Sequence, residues 1–167
     1  LFSERMCRHF SEDFGLETRV VRYHNIFGPL GTFDGGREKA PAALCRKIIY
    51  AKKNNKKIID VWGDGEQTRS FLFIDDCIDG IFSMMKIMKP NDAVNLSTGK
   101  LTSFKEFASL ASNLAGFNPE VSGTSSKPEG VFARGGDTTL QLEMKFKPKI
   151  SFEDGVKRAL NYFEKKI

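Results

Sequence analysis

A short charged segment behind a pair of glycines holds the first residues whose types and spacing could do chemistry. The segment Gly35–Pro41 (GGREKAP) sets Arg37, Glu38 and Lys39 between the glycine pair and a helical pattern. Backbone N–H groups at a helix start attract anions, and a lysine serves as an acid or base where burial lowers its pKa. A surface loop with an ordinary salt bridge explains the same pattern. Spacing alone leaves both interpretations open.

Further segments place arginine beside glycine. In Trp62–Ser70 (WGDGEQTRS), a strand pattern runs into a glycine turn and then into Arg69, whose guanidinium can bind a phosphate through two hydrogen bonds. A hairpin-like turn with an exposed arginine explains this segment equally well. Pro128–Gly130 and Arg134–Asp137 place another guanidinium near backbone amides. Together these cationic, glycine-rich loops are suited to a phosphorylated ligand.

The elements that must position these loops alternate between strand and helix. Apolar spacing predicts helices over 1–14, 41–53, 74–88, 104–115 and 152–166, and strands over 18–24, 56–62, 70–73, 93–96 and 120–123. We expect Gly15 to end the first helix, and Ser103 and Ser151 to cap the last two. The lysine-rich stretch 52–57 is expected to be a solvated turn. This alternation predicts an α/β fold.

Composition excludes several classes of protein. The 167 residues are 40% hydrophobic and 28% charged, which is typical of a globular domain rather than of a fibrous or disordered chain. The net charge of +5 suits an anionic ligand but is too diffuse to indicate nucleic acid. No apolar run approaches the roughly 20 residues that cross a bilayer. We therefore expect neither a nucleic acid nor a membrane as partner.

Cysteine usage points to a reducing compartment. Cys7, Cys45 and Cys77 lie far apart, and an odd count without a visible signal peptide indicates reduced, mostly buried thiols in the cytoplasm. With two histidines and no C-x-x-C pair, no metal site is expected. The sequence also contains no G-x-G-x-x-G motif, no P-loop and no legible Ser–His–Asp order.

Three strings extend the interpretation through resemblance. Arg22–Pro29 (RYHNIFGP) and Trp62–Asp76 (WGDGEQTRSFLFIDD) resemble signatures of the extended short-chain dehydrogenase/reductases that act on nucleotide sugars. Gly31–Ala43 (GTFDGGREKAPAA) is similar to a loop of the GDP-mannose 3,5-epimerase family, and 45–47 (CRK) continue that match. The resemblance runs from Leu1 to the C-terminus and is loose between residues 88 and 127.

The resemblance implies that 1–167 is the C-terminal, substrate-binding portion of such an enzyme, with 1–30 a remnant of its Rossmann domain. The family's lysine is typically followed by Leu-x-x-Glu, which Leu1–Glu4 matches. Its Tyr-x-x-x-Lys pair and its NAD-binding fingerprint would therefore precede Leu1. A helix that opens without a cap at the first residue agrees with a longer parent protein. We expect NAD to bind to the missing half, the parent to be a homodimer, and the chain alone to be catalytically inactive.

The family chemistry assigns roles to individual positions. NAD+ takes a hydride from sugar C4, and the ketone so formed acidifies the protons on C3 and C5, which a base removes and an acid returns from the other face. Lys39 matches that acid, and none of the three cysteines matches the family's catalytic thiol. The positions that match its substrate-binding residues are Asn25, Glu38, Lys39, Ala40, Lys47, Gln67, Thr68, Arg69 and Arg134.

One departure from the family pattern leaves the nucleotide open. Phe132 stands two residues before Arg134, where the family usually carries a second arginine. Two alternatives to the 3,5-epimerase therefore remain. One is another nucleotide-sugar epimerase or a 4,6-dehydratase, and the other is a non-catalytic remnant that binds nucleotide sugars.

Overall fold

A computed structural model describes residues 1–124, 126 and 130–167, and it has the predicted α/β alternation. Pro128 and Glu129, which the sequence placed near a guanidinium, lie outside the described residues. The helices are α1 (Phe2–Phe14), α2 (Ala40–Lys53), α3 (Ile74–Ile87), α4 (Phe104–Leu114), α5 (Thr139–Glu143) and α6 (Phe152–Glu164). The strands are β1 (Val20–Tyr23), β2 (Ile26–Phe27), β3 (Ile58–Trp62), β4 (Thr68–Arg69), β5 (Leu72–Phe73), β6 (Ala93–Leu96), β7 (Thr102–Ser103), β8 (Glu120–Thr124) and β9 (Ala133–Arg134).

Parallel pairing joins strands that lie far apart in the sequence. β1 pairs with β6, β2 with β5, and β3 with β8, each in parallel. β4 is the centre of a three-stranded sheet, antiparallel to β7 and parallel to β9. Parallel neighbours need long crossover connections, which the intervening helices supply. The turn after Trp62 does not close a hairpin, because β3 and β4 enter different sheets.

Two clusters of buried side chains hold these elements together. The larger cluster lies among α2, α4, α6 and β3, where Phe27, Phe71 and Phe107 meet in edge-to-face contacts with ring centroids 5.3 to 6.2 Å apart. Such aromatic pairs add about 0.5–1.5 kcal/mol each beyond their area burial. The smaller cluster joins α3 to β1 and β6 through Leu72, Cys77, Met84, Met88, Val94, Leu96 and Phe146.

The predicted helix ends are confirmed. Gly15 adopts the left-handed conformation (φ 67°), and its N–H donates to the Phe10 and Ser11 carbonyl oxygens. Ser103 and Glu106 form a reciprocal capping box at α4, and the Ser151 hydroxyl accepts from the Asp154 N–H at α6. Residues 53–58, which contain most of the lysine-rich stretch, are exposed at the end of α2.

Sequence patterns missed the shortest elements. The strand predicted over 18–24 ends at Tyr23, because Asn25 has a φ of 45° and separates β1 from β2. Strands β4, β7 and β9 are two residues long, so each has too few side chains to show an alternating pattern. They form only because β4 finds both partners in the tertiary structure.

Helix α1 contributes no buried residue to either cluster. Phe2 and Phe14 are 77% and 75% exposed, and Met6 and Phe10 of the same face are also exposed. Cys45 and Cys77 are buried and Cys7 is partly buried, and all three are free thiols. Within the described residues, no helix combines the length and apolar character that a membrane crossing requires.

Candidate functional site

A cleft of about 370 Å³ opens between α2 and the segment that joins β3 to β4. Ala40, Ala43, Leu44 and Lys47 line one wall, because their spacing along α2 places them on one helix face. The rest of the lining is Gly36, Glu38, Arg46, Val61, Trp62, Gln67, Arg69, Phe104 and Gly130. The cleft thus unites five of the predicted site residues, namely Glu38, Ala40, Lys47, Gln67 and Arg69.

Arg69 and Arg134 are partners on neighbouring parallel strands. The register of β4 and β9 sets Arg69 opposite Arg134, so their side chains leave the sheet on the same face. Backbone bonds from Thr68 N to Phe132 O (2.7 Å) and from Ser70 N to Arg134 O (3.2 Å) fix this register. Within the described residues, neither guanidinium forms an ion pair with a carboxylate.

Arg69 is held by neutral contacts. Its Nη1 donates to the Thr68 carbonyl oxygen at 2.7 Å, and its guanidinium lies 5.4 Å from the centre of the Phe104 ring. Burial, followed by repulsion from the Arg134 guanidinium, lowers the pKa of Arg69 below its ordinary value. Because arginine stays protonated in proteins, Arg69 in the cleft lining and the exposed Arg134 beside it are two positive charges without a carboxylate partner among the described residues.

The cleft also contains a buried amide. Gln67 is only 4% exposed yet lines the cleft, and its side chain makes no hydrogen bond to any residue that the structure describes. Its amide can therefore donate to and accept from a ligand. The neighbouring Thr68 is not part of the lining, and its buried Oγ1 has no partner in the described part of the chain.

Two ion pairs border the cleft. The Lys47 ammonium donates to Asp60 through the carboxylate (2.7 Å) and the backbone carbonyl (2.9 Å). The Glu38 carboxylate accepts from Arg46 and has a side chain only 12% exposed. The Asp60 carboxylate thus compensates the charge of Lys47, whereas Arg69 and Arg134 have no carboxylate partner among the described residues.

Lys39 and Asn25 lie outside this cleft. Lys39 is exposed and lines an adjoining depression of about 190 Å³ with Arg37, Thr32 and other residues. Asn25 is partly buried, and its amide donates to the Ser70 carbonyl oxygen at 3.2 Å. Asn25 therefore holds Ser70, which follows Arg69 at the end of β4. Lys39 directly precedes α2, which lies between the depression and the cleft.

The arrangement can bind a ligand that has an anionic part and an apolar part. The two arginines are suited to phosphate oxygens through bidentate hydrogen bonds, and Trp62, Leu44 and Val61 offer apolar surface. Within the described residues, no group of three His, Cys, Asp or Glu side chains is placed to hold a metal ion.

A dinucleotide does not fit the parallel strands of this chain. β1 runs into Asn25 and β2 rather than into a helix, and α3 opens with Asp75 and Asp76 directly after β5. Carboxylates at a helix start repel a pyrophosphate, which such a site binds through backbone N–H groups. The described residues therefore supply no site for a dinucleotide cofactor.

Eight residues of the cleft lining are not among the predicted site residues, namely Gly36, Ala43, Leu44, Arg46, Val61, Trp62, Phe104 and Gly130. Trp62 and Phe104 supply aromatic surface, Arg46 holds Glu38, and Gly130 approaches Arg69. The helical spacing of Ala40, Ala43 and Lys47 was a readable signal that one face of α2 looks onto a site. Nothing in the sequence indicates Phe104, because it reaches the cleft only through the pairing of β7 with β4.

The chain is similar to known proteins over nearly its whole length. GDP-mannose 3,5-epimerase 1 of Oryza sativa subsp. indica is 38% identical over 100% of this chain and 43% of its own length, and GDP-mannose 3,5-epimerase of Arabidopsis thaliana is 37% identical over 98% and 41%. The chain thus spans less than half of these relatives. The structure of UDP-glucose 4-epimerase from Thermotoga maritima with UDP-glucose superposes with a TM-score of 0.87 at 25% identity, over 99% of this chain and 52% of that one.

A family model supports the same relationship over more than half of the chain. Residues 1–97 match the model of the NAD dependent epimerase/dehydratase family, and this range includes α1, α2, α3 and the cleft residues from Gly36 to Arg69. The chain belongs to the NAD dependent epimerase/dehydratase family.

Proposed function

We propose that this chain is the substrate-binding part of a nucleotide-sugar epimerase that acts on GDP-mannose. The observation that carries the proposal is the pair Arg69 and Arg134, set in register without a carboxylate partner among the described residues. Two uncompensated guanidiniums beside an apolar cleft match a diphosphate that joins a base to a sugar. Two relatives that match nearly the whole chain are named GDP-mannose 3,5-epimerases.

Each part of the substrate has a matching group in this proposal. The diphosphate lies across Arg69 and Arg134, and the nucleoside enters the cleft between α2 and β3. The Gln67 amide supplies hydrogen-bonding groups there and Trp62 supplies an aromatic face, whereas the Glu38 carboxylate, next to Lys39, serves the sugar end. Ala40 and Lys47 contribute contacts from the α2 wall. Thr68 acts through its carbonyl oxygen, which accepts from Arg69, and Asn25 holds the strand end behind them.

Lys39 has the chemical role in the proposed reaction. It returns a proton to the sugar carbon after a base has removed the proton from the opposite face. Its exposed position at the start of α2, between the depression and the cleft, supports this role. A lysine performs this step well when its surroundings exclude water. The proposed reaction therefore includes closure of the longer protein around the sugar and Lys39.

The complete reaction requires more than these 167 residues. We propose that a longer protein holds NAD in its N-terminal half, because this sequence has no G-x-G-x-x-G motif and its described part has no strand–helix junction suited to a dinucleotide. That protein is proposed to be a cytoplasmic homodimer. The chain alone binds substrate and does not turn it over.

A second candidate is favoured by Phe132. This side chain is 66% exposed at a position where the 3,5-epimerase resemblance expects an arginine. A site with one fewer cation suits another nucleotide-sugar epimerase or dehydratase, and a solved relative of similar fold is a UDP-glucose 4-epimerase.

Calorimetric titration of the purified chain with GDP-mannose, UDP-glucose and GDP tests the proposal. Selective binding of GDP-mannose, lost in Arg69→Ala and in Arg134→Ala, is the expected result. Preference for UDP-glucose would select the second candidate. A chain that is folded by circular dichroism but binds none of the three would refute the proposal that these residues form a substrate site.

A further inference from the structure

Arg46, on helix α2, binds the two carboxylates that flank the glycine pair Gly35 and Gly36. From α2, its Nη2 donates to Glu38 Oε1 at 2.5 Å and its Nη1 lies 3.3 Å from Asp34 Oδ1. Asp34 and Glu38 flank Gly35 and Gly36, so one side chain holds both ends of this turn. Asp34 Oδ1 also accepts a hydrogen bond from the Gly35 N–H at 2.8 Å.

The turn between those carboxylates has little other support. Gly35 and Gly36 have φ values of 89° and 78°, and a side chain at either position would meet no described atom within 4 Å. Before the turn, Phe33 packs on Phe163 with ring centroids 5.3 Å apart. After Glu38 comes Lys39, which precedes the first residue of α2. The Lys39 carbonyl oxygen accepts from the Ala43 N–H at 3.0 Å, so α2 holds Lys39 on one side and the segment that ends at Glu38 holds it on the other.

The Arg46–Glu38 pair is largely withdrawn from water. The Arg46 side chain is 25% exposed and that of Glu38 is 12% exposed. Glu38 Oε2 and Arg46 Nε are buried and have no hydrogen-bond partner among the described residues. Removal of one partner from such a pair leaves an uncompensated, poorly hydrated charge, which moves toward water. Loss of Arg46 should therefore displace Glu38, and Lys39 with it.

We infer that Arg46 is a positioning residue that holds the segment 34–39 so that Glu38 and Lys39 present to the sugar end of the substrate. This inference rests on the proposed function, because it gives Lys39 a purpose only if a nucleotide sugar binds beside it. Arg46 itself acts through Glu38 and Asp34 rather than on the substrate.

The test compares Arg46→Met with Lys52→Met in the 167-residue chain. Both changes remove one positive charge from α2. Arg46→Met removes the ion pairs with Asp34 and Glu38, and Lys52→Met removes the ion pair with Glu164, which lies 3.8 Å from Lys52. Amide hydrogen exchange is measured in 34–39, and affinities for GDP-mannose and GDP are measured by calorimetry. In Arg46→Met we expect exchange in 34–39 to rise and GDP-mannose affinity to fall about tenfold, with GDP affinity changed less than about threefold. Lys52→Met should change none of these.

Further variants separate positioning from folding. Arg46→Lys keeps the charge but not the fork that spans two carboxylates, so it should restore part of the GDP-mannose affinity. This variant also serves if Arg46→Met does not fold. In Glu38→Gln, replacement of Arg46 by Met should add little to the exchange rate, because the pair is already broken.

Three results would overturn the inference. Exchange in 34–39 that is equal in Arg46→Met and Lys52→Met would remove its structural basis. Faster exchange with unchanged GDP-mannose affinity would restrict Arg46 to a structural role. Equal losses for GDP-mannose and GDP would show that the sugar end is not what Arg46 positions. A wild-type chain that binds no nucleotide sugar contradicts the proposed function itself, which distinguishes that failure from a defect confined to Arg46 variants.

Discussion

The guanidinium groups of Arg69 and Arg134 repel each other, and no described carboxylate pairs with either of them. Phe104 offers the face of its ring to Arg69, and the Thr68 carbonyl accepts one hydrogen bond. These neutral contacts hold the Arg69 guanidinium in place without neutralising its charge. An anion that binds both arginines would therefore gain two charge-assisted bonds and relieve the repulsion at once.

Arg134→Gln should weaken GDP-mannose binding about 10- to 100-fold, because it removes a charge-assisted hydrogen bond to phosphate. The same change should leave the midpoint of urea unfolding unchanged or raise it, since it also removes the repulsion of Arg69. Arg5→Gln, which removes an exposed charge from α1, is the control and should affect neither measurement. A parallel fall in stability and affinity for Arg134→Gln would show a structural role instead.

The Cys45 thiol should make the chain less stable in alkali. Its complete burial raises the pKa of Cys45 to about 12, whereas an unfolded thiol ionises near the ordinary value of 9.0. The unfolded state therefore loses its proton first, so the contribution of Cys45 is intact below about pH 9 and declines as pH rises toward 12. The expected loss is about 1.4 kcal/mol per pH unit in that window.

The difference between wild type and Cys45→Ala isolates this effect. Urea unfolding at pH 8, 9 and 10 should show a steeper alkaline loss in wild type, even though the alanine variant is less stable at pH 8 because of its cavity. Ile48→Ala, a buried change in the same helix that removes no titratable group, should keep the wild-type slope. Identical slopes in wild type and Cys45→Ala would contradict the prediction.

At the scale of elements, the shape of the cleft depends on where α2 begins and on the turns that follow β3 and β4. The turn after Trp62 packs directly against β8, and α4 begins where β7 leaves β4. Short strands and helix starts therefore set the positions of Gln67, Arg69 and Phe104. Two local changes test whether these junctions hold the site.

Ser103→Ala should lower the free energy of unfolding by about 1 kcal/mol. It removes the hydroxyl that accepts from the Glu106 N–H at 3.0 Å and so breaks the capping box of α4. Ser109→Ala, an exposed change inside the same helix, is the control and should be neutral or slightly stabilising. Equal effects of the two changes in urea titrations would mean that the cap contributes nothing.

Gly123→Ala should be more damaging than an ordinary surface change. A Cβ at this position would lie 2.7 Å from the Gly63 carbonyl oxygen and 3.0 Å from Asp64 Cα, and backbone atoms yield little. The expected cost is about 1–3 kcal/mol of stability, with weaker ligand binding because the turn leads to Gln67. Gly31→Ala has ordinary contact distances and serves as the control. Wild-type stability in Gly123→Ala would show that the turn shifts freely.

At the scale of the whole molecule, one surface is apolar without being part of the cleft. Phe2, Met6, Phe10 and Phe14 form an exposed stripe on α1, and none of the residues in that helix is buried. Contiguous apolar patches of this kind mark surfaces that associate with other protein surfaces. The position agrees with the proposed homodimer of the longer protein.

The double variant Phe2→Glu, Phe10→Glu should reduce self-association of the chain in sedimentation velocity. The apolar stripe favours association in proportion to the area it removes from water, and two carboxylates oppose that burial. Arg5→Glu changes the net charge by the same two units on the exposed surface of α1 and should leave association unchanged. A wild-type chain that remains monomeric at high concentration would contradict the prediction.

Periodicity and capping residues predicted the long elements well. The helix over 74–88 is observed as Ile74–Ile87, and the strand over 93–96 is observed with the same bounds. These segments contain enough residues for a repeating pattern, and Gly15, Ser103 and Ser151 act through neighbours in the sequence. The short strands β4, β7 and β9 have no such local signal. Of the site, Arg69 and Arg134 were identified by resemblance, whereas their adjacency follows from strand pairing.

The sequence by itself determined the α/β class, the long helices, the free cysteines and the identity of the cationic residues, because each depends on residue type or on neighbours a few positions apart. Only the tertiary structure decided that Arg69 and Arg134 are adjacent, that Phe104 supports one of them, and that Lys39 faces a depression beside the main cleft. Those facts depend on contacts between residues that are distant in the chain. Such contacts arise from packing and strand register, which no local pattern encodes.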